Sequence, residues 1–309
     1  MLFSQTKTLI VALTRYSIRD LEQLTGIKAH TLRIWEKRYG VVTPRRTPTN
    51  IRYYTDEDLK KLLNISILNR HGFKISNIAN LENDDLGKKI ISITNKTIDT
   101  DSNIENLIIA MIELDEGKFE KILTTLIINL GFEDTFIKVI IPFFEKVGVL
   151  WQIGTINPAQ EHFMTNLIRQ KIIVAIDGLI TSGILSNPRR FILYLPDGEL
   201  HELGLLFYSY LIQKRGHKVI YLGQMVPFDD LIEIAKIQQP DAFLTIFTAN
   251  LLNENIQQHL EKLSLQLPET KIFAGGLQFK LNVIDIPSSV SVIRDVSDFR
   301  KEMEKIETA

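Results

Sequence analysis

The chain has 309 residues, with 36 Lys and Arg against 37 Asp and Glu, two Trp and no Cys. At roughly 100–200 residues per domain, that length fits two or three domains, each able to bury a core. A chain without Cys has no disulfide framework, thiol nucleophile, iron–sulfur cluster or thiolate metal site, and its residue usage fits a reducing cytoplasm. Charged residues at 24% and hydrophobic ones at 45% are ordinary for a folded, soluble protein. No apolar run nears the roughly 18 residues a membrane helix needs. The opening MLFSQTKTLIVALTRYS holds an apolar stretch of only about six residues and does not read as a signal peptide.

The near-zero net charge hides an asymmetry. Residues 1–80 carry 14 Lys and Arg against 6 Asp and Glu, whereas the remaining 229 carry 22 against 31. A small basic head on a large acidic body directs the head toward a polyanion.

The head, expected over 14–85, has a helical pattern from about 17, interrupted by a basic insert near 43–54. Ser17-Ile18-Arg19-Asp20 has the form of a capping box, with Asp in place of the usual Glu. Ile18, Leu21 and Leu24 then share one apolar face, and Gly26 suits a tight turn. A second helix is expected from about Lys28 to Tyr39. Leu32, Trp35 and Tyr39 face inward at helical spacing, while His30, Arg33 and Lys37 share another face. A helix that buries one edge and offers donors on another can lie in the major groove. Thr43-Pro44-Arg45-Arg46 and Asn50-Ile51-Arg52-Tyr53-Tyr54 form a basic loop suited to a phosphate-gripping wing, and Thr55-Asp56-Glu57-Asp58 caps the next helix. The segments TLRIWEKRYG (31–40), TPRRT (43–47) and IRYYTDEDL (51–59) closely resemble the DNA-binding domain of the MerR family of transcription regulators, over about 17–85. That resemblance implies a double-stranded operator, palindromic if the protein pairs its heads. His30, Thr31, Arg33, Lys37, Arg38, Arg45, Arg46, Arg52 and Tyr53 are the candidate contacts, and binding should fall with salt.

Residues 86–103 are polar, without sustained heptads, and read as a linker. From 104 to 186 apolar residues recur at helical spacing, as at Leu107, Ile108, Met111 and Ile112, and again at Ile122, Leu123, Leu126 and Ile127. Two further helical runs, Phe136–Val149 and Phe163–Ile180, complete a four-helix bundle. From 188 to 309 short apolar runs alternate with amphipathic helices: FILYL (191–195), KVIYL (218–222), AFLTIF (242–247), KIFA (271–274) and SVIR (291–294). Such alternation specifies a Rossmann-like, flavodoxin-like parallel sheet with helices on both faces. The fold class is therefore multidomain α and α/β: winged helix-turn-helix head, four-helix cap, parallel-sheet body.

After FILYL comes Glu199-Leu200-His201-Glu202-Leu203-Gly204. This E-x-H-x-x-G resembles the D/E-x-H-x-x-G signature of cobalamin-binding domains. A neutral imidazole is a good ligand for cobalt, so His201 is the metal candidate, and a carboxylate at Glu199 can orient it. Gly204 permits close backbone approach. Gly275-Gly276 matches the late Gly-Gly of those domains, where the resemblance implies passage of the nucleotide tail. Their S-x-L is replaced here by Leu244-Thr245-Ile246-Phe247-Thr248, which leaves Thr245 as the hydroxyl candidate.

Within the bundle, WQIGTINPAQEH sets Trp151 nine residues before Glu161-His162. This pattern resembles the helical cap of cobalamin-binding light-sensing regulators related to MerR. The resemblance implies adenosylcobalamin, with Trp151, Glu161 and His162 at its upper face, homo-oligomerisation as dimer or tetramer, and repression relieved by light. In light-sensing members the cap Trp is followed by a His that captures cobalt after photolysis; here that neighbour is Gln152, a poor ligand for cobalt. Two alternatives stand beside this cytoplasmic, cobalamin-controlled repressor: a cofactor-free regulator governed by a protein partner, and a corrinoid carrier subunit of a methyltransferase or mutase. Against catalysis, the chain leaves no room for a catalytic barrel, and no P-loop, GxGxxG or Ser-His-Asp spacing is found.

Overall fold

The computed structural model describes residues 15–82, 85–87, 89–90, 100–152, 156–179, 187–249 and 253–308. They fall into two compact units, one ending at Met164 and the other beginning at Thr165. Among the described residues no helix is long and apolar enough to cross a membrane. The opening segment considered as a signal peptide lies, up to residue 14, outside the described residues.

In the head, α1 (Ile18–Thr25) starts at the Ser17–Asp20 capping box and ends on Gly26, whose φ of 71° is left-handed. Helix α2 (Ala29–Tyr39) follows after a short turn and ends on Gly40 in the same conformation. Two-residue strands β1 (Arg45–Arg46) and β2 (Arg52–Tyr53) pair antiparallel to form the wing. A capping box of Thr55 and Asp58 then opens α3 (Asp56–Arg70), and the short α4 (Ile75–Ile78) closes the head. Leu21, Leu24, Leu32, Tyr54, Leu59, Leu62 and Leu63 are buried together as the apolar spacing required.

The bundle begins with α5 (Thr100–Glu113), four residues inside the stretch expected to be linker. Ser102 and Ile104 are already buried, so polar composition there concealed a packed first turn. Next come α6 (Glu116–Leu130), α7 (Phe132–Thr135), a π-helical turn over Phe136–Ile140, α8 (Ile141–Gln152) and α9 (Pro158–Asp177). The π turn has a covalent reason. Pro142 has no N–H to donate to the carbonyl four residues back, and the Ile141 amide bonds Phe136 instead, five residues back.

Helices α3 and α5 meet along a charged seam. Arg70 grips Glu105 with two nitrogens, at 3.1 and 2.7 Å, and Lys60 pairs with Glu113. Because the earlier residue of α3 pairs with the later residue of α5, the two helices run antiparallel. Glu105 is 1% exposed, and burial pushes its carboxyl up to about 7 although Arg70 and Lys146 pull against it.

The second unit holds β3 (Arg190–Pro196), α10 (Leu203–Lys214), β4 (Lys218–Val226), α11 (Phe228–Gln238), β5 (Ala242–Ile246), α12 (Asn253–Gln266), β6 (Lys271–Gly275), α13 (Gln278–Leu281), β7 (Val290–Ile293) and α14 (Val296–Thr308). All five strands are parallel, in the order β4-β3-β5-β6-β7. This is the flavodoxin-like order, with its switch point between β3 and β5. Every residue of β5 is buried, as are six of the seven in β3, because helices cover both faces. One face carries Tyr194 and Phe243 against Leu231 and Ile232 of α11 and Ile256 and Leu260 of α12.

Candidate functional site

The head presents a basic surface on two elements. His30, Arg33, Lys37 and Arg38 are exposed along α2, with Thr31 half-exposed beside them. Arg45, Arg46 and Arg52 are exposed on the wing, and Tyr53 is half-buried under Arg15, whose guanidinium lies 4.9 Å from the ring centroid. Arg46 stands directly opposite Arg52 in the ladder. Like charges placed so repel, and a phosphate between them removes the penalty.

The wing is tied to α2 from beneath. Buried Tyr54 donates its hydroxyl hydrogen to Glu36, and burial followed by this carboxylate pushes the phenol pKa up. Tyr16 donates likewise to Asp56 at 2.7 Å and bridges to Tyr54 through backbone. Arg15, Tyr16 and Glu36 thus support the interface without being among the expected contacts. Their links span 18 to 40 residues, a separation no local motif marks.

In the sheet unit, Glu199 sits in the turn after β3 and is fully buried. Its Oε2 accepts from the amides of Thr248 at 2.6 Å and Ala249 at 2.7 Å, in the loop after β5. Its Oε1 accepts from the His201 amide at 2.9 Å and lies 2.6 Å from His201 Nδ1. The carboxylate therefore bridges the switch point. Burial alone would raise its pKa, but these hydrogen bonds, that from the His201 ring foremost, outweigh it and hold it at about 2. An ionised carboxylate only accepts, so Nδ1 carries the ring proton and the lone pair falls on Nε2. The His201 side chain is 59% exposed at the carboxyl end of the sheet. Leu200, Met225 and Leu277 are exposed at the same end. The loop is fixed further by Glu202, which takes Arg169 Nε at 2.5 Å and the Tyr221 hydroxyl at 3.2 Å.

This geometry fits the axial end of a corrinoid. One imidazole, oriented by a buried acid, serves a metal whose in-plane positions a macrocycle fills, and the apolar rim suits a flat ring. The tail end does not fit. A Cβ at Gly204 would meet Ile246 Cδ1 at 3.0 Å, so the gap beside this glycine is filled by Ile246. At Gly276, φ 108°, a Cβ would meet the Phe247 carbonyl oxygen at 2.4 Å, and at Gly275 the Ile293 carbonyl oxygen at 2.9 Å. These glycines allow the chain's own segments to pack closely. Strand alternation sets Thr245 on the face of Phe243, opposite the Ile246 face that meets Gly204. Thr245 is fully buried there and does not border the Gly204 gap.

Of the cap residues, Trp151 and Gln152 end α8, and their side chains lie outside the described residues. Glu161 and His162 are in the first turns of α9, with His162 Nδ1 3.2 Å from Glu161 Oε2 and the imidazole largely exposed.

Family models match the head and the bundle. Residues 16–85 match the MerR HTH family of regulatory proteins, and residues 104–175 match the B12 binding domain family. The chain is 29% identical over 268 residues to the HTH-type transcriptional repressor CarH of Myxococcus xanthus, covering 84% of this chain and 88% of that one. It is 25% identical to the repressor CarA of the same organism, covering 84% and 86%. Among solved structures, the monomethylamine corrinoid protein of Methanosarcina barkeri superposes with a TM-score of 0.53 at 13% identity, over 67% of this chain and 100% of that one, a likeness of fold alone. The curated relatives are transcriptional repressors rather than enzymes. The chain therefore combines a MerR-type helix-turn-helix domain at 16–85 with a B12 binding domain at 104–175.

Proposed function

We propose that the chain is a DNA-binding transcriptional repressor whose hold on its operator is set by a corrinoid ligated through His201. The Glu199-oriented imidazole at the switch point, in a chain with a MerR-type head, carries this reading. The head would grip phosphates through Arg33, Arg45, Arg46 and Arg52, and two heads on a palindromic site would require a dimer or larger assembly. The assembly that holds DNA would be favoured while His201 and the cap residues hold the group. By resemblance, the group held would be a corrinoid with an adenosyl upper group, with Trp151, Glu161 and His162 toward that group and light as the signal. Gln152 offers no imidazole, so position 152 would not supply a ligand to the metal after illumination. The boundaries 14–85 for the head and 188–309 for the sheet unit divide these roles, with the bundle opening at Thr100 rather than at 104.

The test is an absorption titration with adenosylcobalamin and with adenosylcobinamide, in the dark and after illumination, run beside operator binding, for wild type and His201→Ala. A wild type that takes up no corrinoid, or an unaltered His201→Ala spectrum, refutes the assignment. The closed gaps at Gly204 and Gly276 favour a second reading, a regulator controlled by a protein partner without cofactor. Colourless protein that still binds its operator would decide for it.

A further inference from the structure

We infer that the sheet unit selects corrinoids that lack the nucleotide tail, and that Ile246 is the residue that imposes this choice. The inference rests on the proposed ligation by His201. In cobalamin the benzimidazole at the end of the tail occupies the lower axial position of cobalt, the position His201 would take. Ligation by His201 therefore expels the base. The tail remains covalently attached to the lower side of the ring, so it must lie among the loops that surround His201.

Two gaps among those loops are closed. The gap beside Gly204, three residues from His201, is filled by Ile246, which is itself buried. The next gap, between the loops after β5 and β6, is stitched shut. Phe247 N–H donates to Gly275 O at 2.8 Å, Gln278 N–H to Phe247 O at 3.1 Å, and Gln278 Nε2 to Thr248 O at 3.0 Å. On its other side the same loop is held by Glu199 through the Thr248 and Ala249 amides. Phe247 is buried, with its ring against His259 and Phe279. To admit a nucleotide, the loop would have to break hydrogen bonds on both sides and eject an aromatic ring. Nothing in this closure obstructs the exposed imidazole or the apolar rim. A corrinoid ending in its short aminopropanol arm, as cobinamide does, meets His201 without needing either gap.

Absorption titration with aquacobinamide and aquacobalamin tests this, each followed by the shift as imidazole replaces cobalt-bound water. Wild type should bind cobinamide at least tenfold more tightly. Cobinamide also has no internal base to displace, so the preference alone does not suffice. The deciding comparison is Ile246→Ser, with Ile246→Ala as a second variant. Opening the gap should raise cobalamin affinity about tenfold or more and leave cobinamide affinity unchanged, while cobinamide uptake reports that the fold is intact. Equal affinity of wild type for both corrinoids, or cobalamin affinity unchanged in both folded variants, overturns the inference and leaves the cofactor assignment standing. Failure of wild type to bind either corrinoid overturns both.

Discussion

Replacing Glu199 by Gln probes the central geometry with little change of shape. The native carboxylate accepts four hydrogen bonds, two on each oxygen. A carboxamide has one oxygen, so its NH2 must face either the Thr248 and Ala249 amides or the His201 donors. Donor would then meet donor in a fully buried place. The depression of the Glu199 pKa from 4.5 to about 2 corresponds to about 3 kcal/mol of preference for the charged form. Unpaired buried donors at about 1–3 kcal/mol each lead to a similar loss. The native group adds stability above pH 4.5, and this contribution disappears as pH falls toward 2. The variant, having no proton to gain, should lack that acid-dependent part. Both tryptophans, Trp35 and Trp151, precede the sheet unit, so unfolding seen by circular dichroism but not by tryptophan fluorescence reports on the sheet. Urea unfolding at pH 7 and pH 3 should show a loss of about 3 kcal/mol in Glu199→Gln at the first and about half that at the second. A variant matching wild type at both pH values would refute the reasoning.

Other perturbations follow the same logic. Arg33→Ala and Arg52→Ala should each weaken operator binding and reduce the salt slope by about one, measured by fluorescence anisotropy between low and moderate salt. Because only neutral imidazole ligates cobalt, corrinoid uptake should weaken toward about pH 5, and Glu199, ionised down to about pH 2, cannot be the source of that loss. Arg70→Ala should destabilise the first unit by about 3 kcal/mol in fluorescence-monitored unfolding, since it strands a buried acid. With its pKa raised by burial, Glu105 favours the fold while protonated, so stability of that unit should decline as pH rises from 4.5 through 7, and Glu105→Gln should remove the decline.

The sheet was plain in the chain because parallel strands covered on both faces become continuous apolar runs. FILYL, KVIYL and KIFA each lie within one strand, AFLTIF and SVIR each overrun theirs by one residue, and β4 continues to Val226 beyond KVIYL. Capping chemistry placed the starts of α1 and α3 because Ser17 with Asp20 and Thr55 with Asp58 act three residues apart. The Glu199–His201 contact was legible for the same reason. What Glu199 does on its other oxygen was not, since Thr248 and Ala249 come to it only through the strand order. The displaced hydroxyl showed that the region after β5 is unusual. Choosing between Thr245 and Ile246 required the pleat, which a chain of five buried residues does not reveal.

The seam between α3 and α5 separates mechanical continuity from covalent continuity. Head and bundle are joined in sequence through residues 83–99, yet Lys60–Glu113 and Arg70–Glu105 grip at points ten residues apart on one helix and eight on the other. Two such points on rigid rods resist rotation as well as separation, so a twist of the bundle's first helix is delivered to the DNA-reading end as torque. A single proteolytic cut in the connecting stretch would then leave a nicked molecule whose two pieces stay together and whose head still turns with the bundle.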